Sequence, residues 1–328
     1  MDDRRIPVAI TLVLMLLLAG CQQPPGEVVR NESLMGTLVT IKVVHADEQA
    51  ANASIDRAFA EMRRIEALLT NTVPESEVSR LNVQGEMKPA SPELIQVLQL
   101  AVEHGELSGG AFDVTVQPLL DLYTHSFRDL KRPPTEEEIN TTLEQVDYRR
   151  IELHDGWTAL PANMSITLGG IAKGYIIDVA FRVLRADGIE NVLINAGGDI
   201  RAFGRNVKGN PWTLALQNPR EATEYITRVR AADAGVATSG DYERYYDPEK
   251  KFHHIVDPTT GYSALGLISV TVIADETVRA DALATSVFVM GKEKGLALVE
   301  SLEGVEALVI TEEREVFRSS GFAALELP

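Results

Sequence analysis

The chain has 328 residues, with 48 Asp and Glu against 31 Lys and Arg, a formal net charge of −17 and one cysteine. This acidity disfavours nucleic acid and polyanionic surfaces, so an anionic ligand needs a local cation, a helix N-terminus or a metal to offset the field. A single cysteine excludes an internal disulfide, and the length suits one large domain or two lobes held by a sizeable core.

The first segment, MDDRRIPVAITLVLMLLLAGCQQPPGE, sets Arg4 and Arg5 before an apolar run from Val8 to Leu18 and then Ala19, Gly20 and Cys21. That is the pattern of a secretory signal, too short for a comfortable membrane span. Its ending resembles a bacterial lipoprotein cleavage box. This implies a signal peptide over 1–20, a lipid (diacylglyceryl and palmitate) anchor on Cys21, a tether over 21–27 and a functional domain over 28–328. A plain signal or anchor helix with an incidental cysteine is the alternative. Loss of residues 1–20 removes two Asp and two Arg, so the mature chain keeps its charge of −17.

Val28 to Val44 alternates as a strand pair turning near Met35-Gly36. A long amphipathic helix follows, with Asp47 as its cap and Ile55, Phe59, Met62, Ile65 and Leu69 on its apolar face. Ser91-Pro92-Glu93 starts a second helix that stops at Gly109-Gly110, and Thr135 to Glu138 is a capping-box opening for a third. Ile166 to Leu168 is expected as a strand, Ile171 to Ala186 as a helix and Asn191 to Ala196 as another strand. The last third predicts strands over 212–216, 268–273 and 307–310, with helices over 277–290 and 292–302. No internal repeat or low-complexity run interrupts this alternation.

Four glycine- and polar-rich stretches stand out, beginning at Gly109, Thr167, Ile194 and Gly235. Such turns bring backbone N–H groups close to a phosphate, or allow tight helix–strand packing. The run GGIAKG at 169–174 has neither the dinucleotide fingerprint nor the P-loop spacing. Lys173, in the first turn of the predicted helix, opposes the helix dipole, so an anionic partner would rationalise it. His253 and His254 fall on opposite faces of an extended segment, which argues against a shared metal; one buried and one exposed ring is the plain reading, a general base the functional one. Asp281 and Thr285 sit one helical turn apart. They are either an early-helix carboxylate and a back-bonding hydroxyl, or two oxygen ligands of a hard cation such as Mg²⁺.

Taken in order, LMGT (34–37), AFDVT (111–115), LGGIAKGY (168–175), NAGGD (195–199), HIVDP (254–258) and ADALAT (280–285) make the chain resemble the ApbE family of FAD:protein FMN transferases, from about Val28 to the C-terminus. The resemblance implies an α/β fold with mixed sheets, related to the T-fold, with two lobes around a flavin cleft. It implies Mg²⁺-dependent transfer of FMN from FAD to a threonine hydroxyl of an acceptor protein, with release of AMP. Carried over by position, Met35, Ala111, Phe112, Asp113, Lys173 and Ile255 are expected flavin-nucleotide contacts. Thr167 and Thr72 occupy two further contact positions, where relatives often carry an aspartate and an aromatic residue. Gly170, through its carbonyl, and the side chains of Asp281 and Thr285 are the expected Mg²⁺ ligands, and His254 the candidate catalytic base with Asp257 as the alternative. The expected acceptor is an extracytoplasmic flavoprotein subunit of an electron-transfer complex. The expected location is the periplasmic side of a bacterial membrane, the inner membrane slightly preferred over the outer. An FAD pyrophosphatase yielding FMN and AMP, or a non-catalytic flavin-binding lipoprotein, are the competing readings.

Overall fold

The computed structural model describes residues 24–221 and 223–327. The signal segment and Cys21 lie outside the described residues. Strands β1 (Gly26–Leu34) and β2 (Thr37–His45) pair as a tight hairpin around Met35-Gly36. Met35 (φ 53°) and Gly36 (φ 70°) both adopt positive φ, the twist-matched turn for a two-residue hairpin. Helix α1 (Glu48–Leu69) follows, its Asp47 carboxylate accepting the Ala50 N–H at 2.9 Å, with Ile55, Phe59, Met62, Ile65 and Leu69 all buried. Next come α2 (Glu77–Gln84), β3 (Glu86–Met87) and α3 (Pro92–Leu107), whose Ser91 cap accepts the Leu94 N–H. α4 (Gln117–His125) precedes α5 (Glu136–Leu143), which opens with the expected Thr135–Glu138 capping box. β4 (Glu152–His154) and β5 (Trp157–Ala159) join β3 in a small sheet.

Ile166 to Leu168, expected as a strand, is an unpaired extended segment. Its backbone is satisfied without a ladder: the Asn82 side-chain amide donates to the Ile166 carbonyl (2.9 Å) and accepts its N–H (2.7 Å), while the Thr167 N–H donates to the Val114 carbonyl (2.8 Å). One side-chain amide and one backbone carbonyl thus take the place of a neighbouring strand. Helix α6 (Ala172–Ala186) begins directly afterwards.

The remaining strands are β6 (Val192–Ala196), β7 (Asp199–Phe203), β8 (Trp212–Gln217), β9 (Tyr225–Ala231), β10 (Ala234–Gly240) and β11 (Leu267–Ala274). Helix α7 (Thr277–Glu300) breaks at Gly291 (φ 77°), which separates the two expected helical stretches, and β12 (Glu306–Thr311), β13 (Val316–Arg318) and β14 (Glu326–Leu327) complete the chain. Eight strands form one sheet in the order β1-β2-β6-β7-β10-β11-β12-β13, every pair antiparallel. The fold is a mixed α/β architecture with antiparallel sheets.

Both faces of the large sheet are covered, which explains why all eight residues of β11 are buried. Val270 and Val272 pack toward Leu283, Val287 and Phe288 of α7. On the other face Ile268 and Ile273 meet Trp212, Leu214 and Val229 of the β14-β9-β8 sheet. Helix α7 is therefore fixed against the sheet, and α6 is locked to α7, a junction that places the chemistry described next.

Candidate active site

Helices α6 and α7 begin side by side, and neither N-terminus is capped by the residue before it. Each supplies the other's cap. Asp178 of α6 accepts the Val278 N–H of α7 at 2.8 Å, and Asp281 of α7 accepts the Gly174 N–H of α6 at 3.0 Å. The unpaired N–H groups of both first turns thus find carboxylates across the interface. The approach requires glycine: a Cβ on Gly174 would lie 2.5 Å from the Thr277 carbonyl oxygen and 2.6 Å from Val278 Cα. Four residues earlier, a Cβ on Gly170 would lie 3.0 Å from Thr285 Oγ1 and 3.2 Å from the Phe112 ring. Gly170, Asp281 and Thr285, the three expected metal ligands, therefore share one corner.

That corner opens into a cleft of about 430 Å³. Its rim carries Met35 and Thr37 from the β1–β2 hairpin, Ala111, Phe112 and Asp113, Thr167, Gly169, Gly170 and Lys173, Asp199, the end of β10, and His254 and Ile255. Of the expected flavin contacts, only Thr72 lies elsewhere. It is exposed in the bend after α1, its hydroxyl against that of Thr70 at 2.8 Å. Asp113 lines the cleft, but its carboxylate is engaged as a loop fastener: it accepts the Thr115 N–H and hydroxyl and the Tyr148 N–H. Burial nonetheless pushes its pKa above the ordinary carboxylate range.

Lys173 does have an anionic partner, and it is internal: Nζ lies 2.8 Å from Asp199, whose carboxyl is 4% exposed. Burial works against the ammonium, but the Asp199 and Asp281 carboxylates outweigh it and hold the group well above its usual value. Asp281, buried and facing Asp199, is pushed well above the ordinary carboxylate range, with Lys173 and the Gly174 N–H partly opposing the shift. Thr285 Oγ1 also meets Ser239 Oγ of β10 at 3.2 Å.

The two histidines differ sharply. His253 is buried, its Nε2 against the Ala264 carbonyl (2.8 Å) and its Nδ1 accepting the Ile255 N–H (3.3 Å), so both nitrogens are occupied. His254 lines the cleft, and Nδ1 faces only the Arg244 carbonyl at 3.3 Å. A carbonyl accepts but cannot donate, so Nδ1 carries the proton and Nε2 keeps its lone pair. Burial, with the positive charge of Arg244, pulls this imidazole down to about 4, so it is neutral at physiological pH. Asp257 instead fastens its own turn, accepting the Thr259 N–H and the Thr260 hydroxyl, and does not line the cleft.

Among the described residues no three His, Cys, Asp or Glu side chains converge as a metal cluster. The expected donor set contains one carboxylate, one hydroxyl and one carbonyl, all hard oxygen atoms of the kind Mg²⁺ takes alongside ligand phosphates and water. The cleft lining carries four carboxylates (Asp113, Asp199, Glu243, Asp281) against two cations (Lys173, Arg244), a balance that repels an anion unless a cation joins it. Asp199, Ser239 and Arg244 were not singled out from the sequence. Asp199 ends the NAGGD stretch and Ser239 precedes Gly240, so each adjoins a glycine turn, whereas Arg244 lies four residues past Gly240 and carries no local signal of its own.

Fold and site define a mixed α/β protein with a polar cleft, rimmed by glycine turns, at a helix–helix junction. Residues 35–309 match the ApbE family, and the chain belongs to that family. It is 33% identical to an FAD:protein FMN transferase of Vibrio cholerae, over 94% of this chain and 95% of that protein. It is 30% identical to one of Treponema pallidum, over 97% and 93%. Among solved structures, the ApbE protein of Thermotoga maritima superposes with a TM-score of 0.84 at 32% identity, covering 92% of this chain and all of that one. The flavin transferase ApbE of Vibrio cholerae superposes at 0.78 with 30% identity and the same coverage.

Proposed function

We propose that this protein is an FAD:protein FMN transferase that uses Mg²⁺ and moves FMN onto a threonine hydroxyl of an acceptor outside the cytoplasm. The observation that carries the reading is the convergence, in one cleft, of the Gly170–Asp281–Thr285 oxygen corner with a neutral histidine whose Nε2 has no partner among the described residues. The names of the relatives supply the substrate class.

Gly170, Asp281 and Thr285 would hold Mg²⁺, which when bound supplies positive charge to the diphosphate oxygens. The protein's own part is positioning and proton handling. Met35, held at positive φ with its N–H on Glu66 Oε1 (2.8 Å), and Phe112 both line the cleft and would contact the flavin nucleotide. The acceptor hydroxyl oxygen forms a bond to the FMN phosphorus as the bond from that phosphorus to the AMP oxygen breaks. The electron pair leaves with AMP. The hydroxyl proton passes to Nε2 of His254, whose tautomer the Arg244 carbonyl fixes.

The sequence of the first 21 residues supports export and anchoring at Cys21, and with them an acceptor on the periplasmic side of a bacterial membrane, the inner membrane slightly preferred over the outer. The acceptor class that suits this location is a flavoprotein subunit of an electron-transfer complex. Incubation with FAD, Mg²⁺ and candidate acceptors tests the reading: covalent flavin fluorescence on the acceptor supports transfer. Release of free FMN with no labelled acceptor would instead make the protein an FAD pyrophosphatase, and intact FAD throughout would refute both.

A further inference from the structure

The cleft contains two cations, and only one of them is already spoken for. Lys173 is bonded to Asp199 and stands beside Asp281, so two carboxylates offset its single charge. Arg244 is exposed at the cleft wall and makes no side-chain hydrogen bond or ion pair among the described residues. Its backbone, however, is fixed. The Arg244 carbonyl accepts the His254 N–H at 3.2 Å and faces Nδ1 of the same ring at 3.3 Å, so the residue is registered against the proposed base. Its charge reaches that ring, being one of the influences that keep the imidazole neutral. A guanidinium with no side-chain partner among the described residues, held beside an acidic cleft in a chain of net charge −17, has the charge and donor geometry to bind an anion.

We infer that Arg244 binds the diphosphate of the flavin dinucleotide, supplying the free positive charge that Lys173, neutralised by Asp199, does not. The inference rests on the proposed transferase reading for the identity of the anion. It gives the segment Gly240 to Arg244 two separable tasks: the backbone carbonyl orients His254, and the guanidinium grips phosphate. Substituting the side chain removes the second task and leaves the first in place.

The test is FAD binding by the full-length protein in the presence of Mg²⁺, followed by flavin fluorescence across a KCl series, for the parental protein, Arg244→Gln and Arg244→Lys. Loss of one charge-assisted contact predicts a dissociation constant raised about tenfold in Arg244→Gln. Its dependence on salt becomes shallower, because one fewer ion pair is screened. Arg244→Lys retains the salt dependence and most of the affinity. Parental affinity and salt dependence in Arg244→Gln would overturn the inference, including the case in which transfer to the acceptor slows while FAD binding stays unchanged, since Arg244 would then serve the acceptor. If the parental protein itself does not bind FAD, the functional reading fails first, and that outcome is distinguishable from failure of the Arg244 assignment alone.

Discussion

Removing the Lys173 ammonium from beside Asp199 tests whether this pair holds the corner together. At the observed Nζ–Oδ2 separation of 2.8 Å, two unit charges attract by about 6 kcal/mol at an effective dielectric near 20. Desolvation of Asp199, at 4% exposure, and solvent screening of Lys173, at 36%, reduce this to a net coupling of about 2 kcal/mol. The two single changes are not equivalent. Lys173→Met leaves the Asp199 carboxylate buried without its counter-charge and takes a cation from Asp281, at an expected cost of about 3 kcal/mol. Asp199→Asn keeps an oxygen for the Thr238 N–H (3.3 Å) and lets the half-exposed ammonium turn toward water or Asp281, at about 1 kcal/mol. The double variant removes both charges and should cost about 2 kcal/mol, less than the two singles together. Urea unfolding at neutral pH, without divalent cation and followed by far-UV circular dichroism, measures all four corners of the cycle. Additivity to within about 0.5 kcal/mol, or a larger loss in Asp199→Asn than in Lys173→Met, would refute an energetically coupled pair.

Gly174→Ala drives a methyl into the Thr277 carbonyl and should destabilise the fold by about 3 kcal/mol, read as a lower urea midpoint; a change below about 0.5 kcal/mol would mean the α6–α7 crossing relaxes freely. Gly170→Ala meets the Thr285 hydroxyl at 3.0 Å, tight but displaceable by a few tenths of an ångström, so calorimetry of Mg²⁺ binding in the presence of FAD should show weaker binding with little loss of stability. Unaltered Mg²⁺ affinity in that variant would remove Gly170 and Thr285 from the ligand set. For His254 the folded value lies near 4, below the ordinary 6.5, so the base form is retained as pH falls through 6.5 and is lost only near 4. At saturating divalent cation, kcat should therefore stay level from neutral pH to about 5, and an acid limb near the ordinary histidine value would contradict the assigned environment.

Periodicity made the long elements of the fold legible: α1, with its cap and apolar face, and the β1–β2 hairpin follow from spacing alone because burial and pattern agree. The segment over 166–168 misled for a physical reason. Its apolar composition signals burial, which the structure supplies, but a strand also needs a neighbouring strand, and the partners here are an asparagine side chain from α2 and the Val114 carbonyl. Strands β4 and β5, three residues each, are too short for alternation to register. The order of strands in the large sheet depends on which hairpins abut, and nothing local to any one of them specifies that.

Asp281 and Thr285 illustrate how the site itself exceeds its local signal. Helical spacing places both oxygens on one face of α7, and the plain alternative made Asp281 an early-helix carboxylate favoured by a dipole. Both readings describe the same atoms. Asp281 does stabilise a helix N-terminus, but that of α6, through the Gly174 N–H, while Asp178 of α6 performs the reciprocal task for α7. This exchange explains why a glycine at 174 accompanies an aspartate at 281: without the first, the helices cannot approach; without the second, the α6 N–H has no acceptor. The junction also sets Gly170 against Thr285 and aims Lys173 at Asp199, so a structural necessity concentrates carboxylates where an anionic substrate must be met by cations. Under the proposed function, the cap and the ligand are one residue acting through different oxygens. That makes Asp281→Asn the informative companion to Asp281→Ala: the amide oxygen preserves the bond to Gly174 and the fold, while loss of the formal charge weakens Mg²⁺ binding. If Asp281→Asn bound Mg²⁺ with parental affinity in calorimetry, the carboxylate would be a cap and nothing more.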